Sequence, residues 1–272
     1  MLPLFAGGFG LIIGSFLNVV VLRRGAKALS GRSACFVCGH AIAWYDLVPV
    51  FSWIALRGRC RNCACPISMQ YPLVEASTGV LFALFGYWAM PALTIGHFQI
   101  LVPLALGFFI VAVLVAIATY DLHHTIIPDS WAYSFAACAF IFRFVLQNDM
   151  HVISHYTLSV EAVVAGPICA LPLFALWAFS RGTWMGLGDA KLALGIGWLL
   201  GLWHGLIAVM YSFILGSVIL VPLLLITHIP GLTKVRTGLT MKSEVPFGPF
   251  LIASCLIFLF LELFGVALPF ID

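Results

Sequence analysis

Charge is what this chain has least of. Its 272 residues include 13 basic and 10 acidic side chains, 8% charged in total, while 63% are hydrophobic. Soluble domains carry about 25% charged residues, so this composition excludes an ordinary water-soluble globule and points to an integral membrane protein. The formal net charge of +3 is too small and too unevenly placed for a nucleic-acid-binding surface. Other signatures are also missing. There is no Ser/His/Asp arrangement, no HExxH and no glycine-rich nucleotide loop. Basic residues follow the first apolar run instead of preceding it, which is the pattern of a retained first span, not of a cleaved signal peptide.

Long apolar runs fill the rest. A membrane-crossing helix needs roughly 20 such residues at about 1.5 Å each. Stretches near that length run at 2–22, 73–91, 98–119, 131–147, 157–180, 190–203, 205–228 and 247–268. The segment 190–203 is short and glycine-rich, so eight spans are expected and seven is the alternative. The expected fold is an all-α integral membrane protein. Its parts are a first transmembrane helix at 1–22, a polar segment at 23–72, and a polytopic membrane domain at 73–272. Arg23, Arg24, Lys27, Arg32, Arg57, Arg59 and Arg61 lie between the first two spans. Arg181 and Lys191 flank the turn after the fifth, and Lys234, Arg236 and Lys242 precede the eighth; only Arg143 falls elsewhere. With eight spans, the positive-inside rule puts these regions in the cytoplasm and both termini outside.

The polar segment holds five of the eight cysteines. Cys35 and Cys38 form one CxxC pair and Cys60 and Cys63 another, with 21 residues between them. Each such turn offers two thiolates to one ion, and two turns close a tetrahedral zinc site. In a reducing cytoplasm a metal site is favoured over disulfides. Four protein ligands leave no open position, so the expected zinc is structural. Cys65 and His40 are alternative ligands at less favourable spacing. Cys138, Cys169 and Cys255 stand alone within spans and read as packing residues.

Two aspartates, Asp121 and Asp189, sit where long apolar runs meet a boundary on that same side. A carboxylate near hydrocarbon is costly and rarely decorative. Asp121 is followed by His123 and His124, read as interfacial polar residues. Beyond them Pro128 stops one helix, and Asp129 is placed to favour the first turn of the next. Asp189 closes a Gly-x-Gly-Asp sequence in which Gly186 and Gly188 carry no side chain, so the backbone there can take unusual angles and let a substrate strand approach. The bland alternative makes Asp189 a helix cap. Together the two aspartates point to an aspartyl protease dyad, in which close carboxylates share one proton to activate water and polarise a carbonyl. Glu75 stands where the second span enters the membrane, a helix-start acid or a functional one; Glu161 and Glu262 snorkel or pair with a polar neighbour.

These residues resemble those of the type IV prepilin peptidases, the GxGD-type membrane aspartyl proteases of type IV pilus and type II secretion systems. The resemblance covers nearly the whole chain. It rests on Gly14 through Val20 (GSFLNVV), the two CxxC pairs, Tyr45–Pro49, Leu56–Cys60, Tyr71–Glu75, Asp121 with Ile127-Pro128-Asp129, Gly186–Asp189 with Lys191 and Leu192, and Pro246–Pro249. It implies a bacterial inner-membrane enzyme that cuts the short basic leader from prepilins and pseudopilins on the cytoplasmic side. Asp121 and Asp189 would be its catalytic pair. It also implies N-methylation of the new amino terminus with S-adenosylmethionine, an activity associated with the polar segment. The alternative from another class is a transporter or assembly scaffold with a zinc-stapled loop, against which stands the lack of an inverted repeat.

Overall fold

The structure is a computed structural model that describes residues 1–23, 33–149, 160–227 and 245–266. Arg24, Lys27, Arg32, Lys234, Arg236, Lys242, Glu244 and Asp272 lie outside the described residues. Among those described there is no named strand, only two isolated antiparallel bridges. Each of the eight apolar stretches falls on a helix: α1 (Leu2–Arg23), α3 (Gln70–Thr94), α4 (Leu101–His124), α5 (Asp129–Asp149), α6 (Val160–Ser180), α7 (Leu187–Leu200), α8 (Leu202–Thr227) and α9 (Gly248–Leu263). The polar segment adds a short α2 (Phe51–Ala55). By length and composition six of these can cross a membrane; α7 and α9 are shorter.

The chain divides into two compact units, residues 1–119 and 120–272. In the first, α1 lies against α3 through small residues. A Cβ on Gly10 would meet the Thr78 carbonyl at 2.7 Å, and one on Gly14 would meet the Glu75 Cα at 2.7 Å. From the other side, a Cβ on Gly79 would meet Leu11 at 2.8 Å and one on Gly86 the Ala6 methyl at 2.8 Å. Hydrocarbon gives no hydrophobic drive for helix pairing, so close backbone approach through small residues supplies the dispersion contact that does. Phe82 and Phe108 stack at 4.3 Å beside this seam.

The second unit is built around α7. Its sequence is almost all small and aliphatic because it is buried against α5, α6, α8 and α9. Side chains at Gly195 and Gly197 would run into the Phe135 ring and the Ala165 carbonyl respectively. Gly201, at φ 79°, ends α7 and turns the chain directly into α8.

Arg143 on α5 and Glu262 on α9 form a 2.6 Å ion pair, 7% and 12% exposed, which accounts for the one basic residue off the cytoplasmic pattern. Glu262 Oε2 has no hydrogen-bond partner. Removing the cation from a buried pair leaves a charge uncompensated, so Arg143→Ala is expected to lower stability by about 3–5 kcal/mol. An apolar pair, Arg143→Met with Glu262→Leu, is expected to recover most of it. Thermal unfolding in detergent checks both.

Candidate active site and metal centre

Asp121 and Asp189 are both buried, 4% and 9% exposed, and both belong to the second unit. Asp121 lies in the last turn of α4 and Asp189 in the first turn of α7. The α7 N-cap is Gly186, so Asp189 is the third helical residue rather than the cap, and its carboxylate faces the positive end of the helix dipole. The two carboxylates interact electrostatically. Among the described residues no ion pair involves either one.

Ile127, buried in the turn between α4 and α5, holds the pair together. A Cβ on Gly188 would meet the Ile127 Cβ at 2.8 Å, and a Cβ on Gly248 would meet the Ile127 Cδ1 at 3.3 Å. The start of α9 closes the cluster. The Gly248 amide donates to Asp121 Oδ2 at 3.1 Å, and a Cβ there would lie 2.6 Å from that oxygen. Sequence reasoning placed Gly248 only within a motif; its amide contact to a residue 127 positions away carries no local signature.

The glycines of Gly-x-Gly-Asp act differently from expectation. Gly186 is extended, at φ −74° and ψ 149°, and Gly188 lies within the regular turn of α7; neither takes a positive φ. Gly188 is small because Ile127 occupies the space a side chain would need. Gly186 has only ordinary contacts at 3.9–4.0 Å, the longer to Asp189 Oδ2, and leaves the carboxylate approachable.

Around this cluster, Pro128 separates α4 from α5, and its carbonyl accepts the Trp131 and Ala132 amides. Asp129 starts α5 as expected, and also accepts a hydrogen bond from Lys191 Nζ at 2.6 Å, fastening α5 to α7. His123 and His124 end α4; His124 stacks on Tyr120 at 4.2 Å, and both are exposed.

The cysteine segment, in the first unit, consists of two knuckles of the same design. Ala34 bridges to Ala41 and Arg59 to Pro66. Gly39 N–H donates to the Cys35 carbonyl at 2.9 Å, and Ala64 N–H to the Cys60 carbonyl at 2.9 Å. The matching turn residues have φ 68° at Gly39 and 55° at Ala64. The Sγ atoms of Cys35, Cys38, Cys60 and Cys63 all lie within 4.8 Å of one another. Four sulfurs at 2.3 Å from one zinc sit about 3.8 Å apart, so this donor set fits the ion. Backbone amides of Cys38 and Val37 pull the Cys35 thiol down to about 6, and those of Cys63 and Asn62 lower Cys60, whereas Cys63, despite the Cys65 amide, is pushed up by the neighbouring thiols. Cys65 occupies the knuckle position of His40 and brings its Sγ to 3.5 Å from Cys35 Sγ. Arg61 forks onto Asp46 at 2.7–3.2 Å and lies over the Tyr45 ring, tying the second knuckle to the turn before α2.

Glu75 is in the second turn of α3, past the helix start, and is buried. Its Oε2 accepts the Val50 amide at 2.7 Å, anchoring the polar segment to the helix pair.

Two family models match. Residues 9–89 match the bacterial peptidase A24 N-terminal domain, and residues 108–221 the type IV leader peptidase family. Among curated proteins the chain is similar to a prepilin leader peptidase/N-methyltransferase of Myxococcus xanthus (strain DK1622), 34% identical over 84% of this chain and 66% of that protein, a little under two thirds of its length. A protein of the same name from Burkholderia pseudomallei (strain 1026b) is 31% identical over 92% of this chain and 82% of its own length. Another from Klebsiella pneumoniae is 32% identical over 75% of this chain and 89% of its own. No solved structure matches. With both domains of the family present in order and identity above 30% over most of such relatives, the chain belongs to the type IV leader peptidase family.

Proposed function

We propose that this chain is a bacterial inner-membrane enzyme that removes the short basic leader of type IV prepilins and pseudopilins and N-methylates the residue thus exposed. Relatives named for both activities support the reading. The observation that carries it is the burial of Asp121 and Asp189 around one packing point, with Gly188 beside Asp189 and Gly248 on Asp121 both against Ile127, and with no ion pair to either among the described residues. A buried pair of carboxylates without a cation has a purpose other than neutralising charge.

In the proposed reaction the pair shares one proton. The charged carboxylate takes a proton from water as the water oxygen attacks the scissile carbonyl, and the protonated one donates a hydrogen bond to that carbonyl oxygen. The tetrahedral adduct then collapses, the C–N bond breaks, and the leaving amine takes a proton from the dyad. No covalent enzyme intermediate is needed. The pair acts as one coupled unit, so neither role belongs to one aspartate alone. Gly248 holds Asp121 in orientation through its amide, and Ile127 sets the spacing by filling the gaps opposite Gly188 and Gly248.

Eight crossings, with both termini outside, would put the cysteine segment and the dyad on the cytoplasmic side, where a basic leader emerges. Its organisation would be a first span at 1–22, a cytoplasmic segment at 23–72, and the polytopic protease domain at 73–272. Cys35, Cys38, Cys60 and Cys63 would hold a structural zinc, which when bound cross-links the two knuckles. S-adenosylmethionine would supply the methyl group.

Co-expression with a prepilin tests the reading: the substrate band is expected to shift to the mature size on an immunoblot, and an unshifted band at normal enzyme abundance would refute it. Gly248→Ala is expected to slow the same processing about 100-fold, since misplacement of reacting groups by about 1 Å costs that much. The mature-to-precursor ratio over a time course measures it.

A further inference from the structure

The dyad leaves unused a second buried polar cluster, in the first unit, where the cysteine segment meets the α1–α3 seam. Val50 there has φ 61° and ψ −51°. The Phe51 amide donates to the Pro49 carbonyl at 2.6 Å, which makes residues 49–51 a γ-turn of the rare positive-φ kind. A β-branched residue in that conformation is strained, and such strain persists only where surrounding contacts over-determine it. The contact here is the Glu75 carboxylate on the Val50 amide. That donor is neutral, and among the described residues no ion pair involves Glu75.

One turn away on the same seam stands Asn18, 1% exposed. Its Nδ2 donates to the carbonyls of Gly14 and Tyr71, both at 3.3 Å. Its Oδ1 is buried with no hydrogen-bond partner. Gly14, whose carbonyl Asn18 caps, is itself the residue in contact with the Glu75 backbone. The seam thus offers a carboxylate lacking a cation and a carbonyl oxygen lacking a donor, close to the segment boundary. An orphaned buried acceptor costs about 1–3 kcal/mol, so natural proteins leave few of them. Both groups are acceptors, so the partner they suit is a cation that carries N–H bonds. A sulfonium centre has none; a primary ammonium has three.

We infer that Glu75 and Asn18 form a subsite for a primary ammonium group in the methyl-transfer activity, with the γ-turn at Val50 holding the carboxylate in place. The inference rests on the methyltransferase part of the proposed function and adds the residues for it. Two ammonium groups meet in that reaction: the new α-amine of the cleaved pilin and the α-amine of S-adenosylmethionine.

Calorimetry on the full-length protein in lipid nanodiscs distinguishes them. The probes are a peptide with the cleaved pilin's free N-terminus, its N-acetylated counterpart, and S-adenosylmethionine. Wild type is expected to prefer the free amine to the acetylated peptide if the substrate amine is the occupant. Glu75→Gln, which keeps an oxygen for the Val50 amide, is then expected to weaken the free-amine peptide at least tenfold. If the occupant is the donor's ammonium, the same variant weakens S-adenosylmethionine by that factor and leaves the peptide alone. Leader cleavage should stay within about twofold in either case.

A purely structural Glu75 behaves otherwise. Glycine takes positive φ without strain, so Val50→Gly would then restore Glu75→Gln; an ammonium site predicts no restoration. Restoration, or unchanged affinity for both probes in Glu75→Gln, overturns the inference. So does a wild type that binds free and acetylated peptides equally and S-adenosylmethionine not at all, a result that does not depend on any variant folding. If wild type cleaves but its product never gains the mass of a methyl group, the methyltransferase reading fails instead, and the calorimetric result still judges the ammonium site.

Discussion

Asp121→Asn and Asp189→Asn are each expected to lower the rate of leader cleavage roughly 10²–10⁴-fold, with capture of uncut prepilin close to wild type. Asn nearly matches Asp in shape and keeps a hydrogen-bonding oxygen, so the Gly188 and Gly248 packing on Ile127 and the Gly248 amide contact survive. The ability to exchange a proton does not. In the proposed mechanism the carboxylates act together, so the double variant should be little worse than either single one. Were the two aspartates independent, the losses would multiply. Pre-steady-state cleavage of a purified prepilin, with binding measured separately by pull-down, separates these cases.

The second large effect belongs to the cysteines. Replacing Cys35 and Cys38 together with Ser is expected to abolish zinc binding, measured as metal per chain by plasma mass spectrometry, and to open residues 33–69 to added protease. The segment has little apolar burial of its own: Phe36, Trp44, Phe51 and Ile54 are all exposed. Its internal order includes two bridges, the knuckle turns, the short α2, and the Asp46–Arg61 and Trp53–Ile67 links. With zinc bound as proposed, such a segment would draw most of its folding energy from the metal. Methylation should be lost with it, because the γ-turn at Val50 belongs to the same segment. Cleavage should persist within a few-fold, since the aspartates sit in the other compact unit. Cys65→Ser is expected to keep its zinc, because four thiols already complete the ion's shell.

The helices are legible in the sequence because apolar runs of span length have few alternatives in a bilayer. The knuckles are legible because two correctly spaced CxxC pairs seldom arise without a ligand. That Asp121 and Asp189 stand apart from the other acids is legible because carboxylates at the ends of apolar runs are costly; their burial is not. What escapes is set by contacts distant along the chain. The Asp129–Lys191 bond spans 62 positions, and nothing near Asp129 hints that it does more than start a helix. Arg143 and Glu262 find each other across 119 positions. Gly188 reads as a place for unusual backbone angles in Gly-x-Gly-Asp, yet its smallness serves Ile127, a residue 61 positions earlier whose role depends on the turn before α5. The Val50 γ-turn has no sequence signature at all, since a β-branched residue is among the last expected at positive φ.

The proposed reaction is tested most directly by mass spectrometry of a purified prepilin after incubation with this protein in lipid and S-adenosylmethionine, beside Asp121→Asn and Asp189→Asn at equal abundance. A product lacking its leader and heavier by one methyl group is expected with wild type, and intact substrate with either variant. Cleavage by either variant at near the wild-type rate would contradict the dyad, and intact substrate with folded wild type would contradict the proposed activity itself.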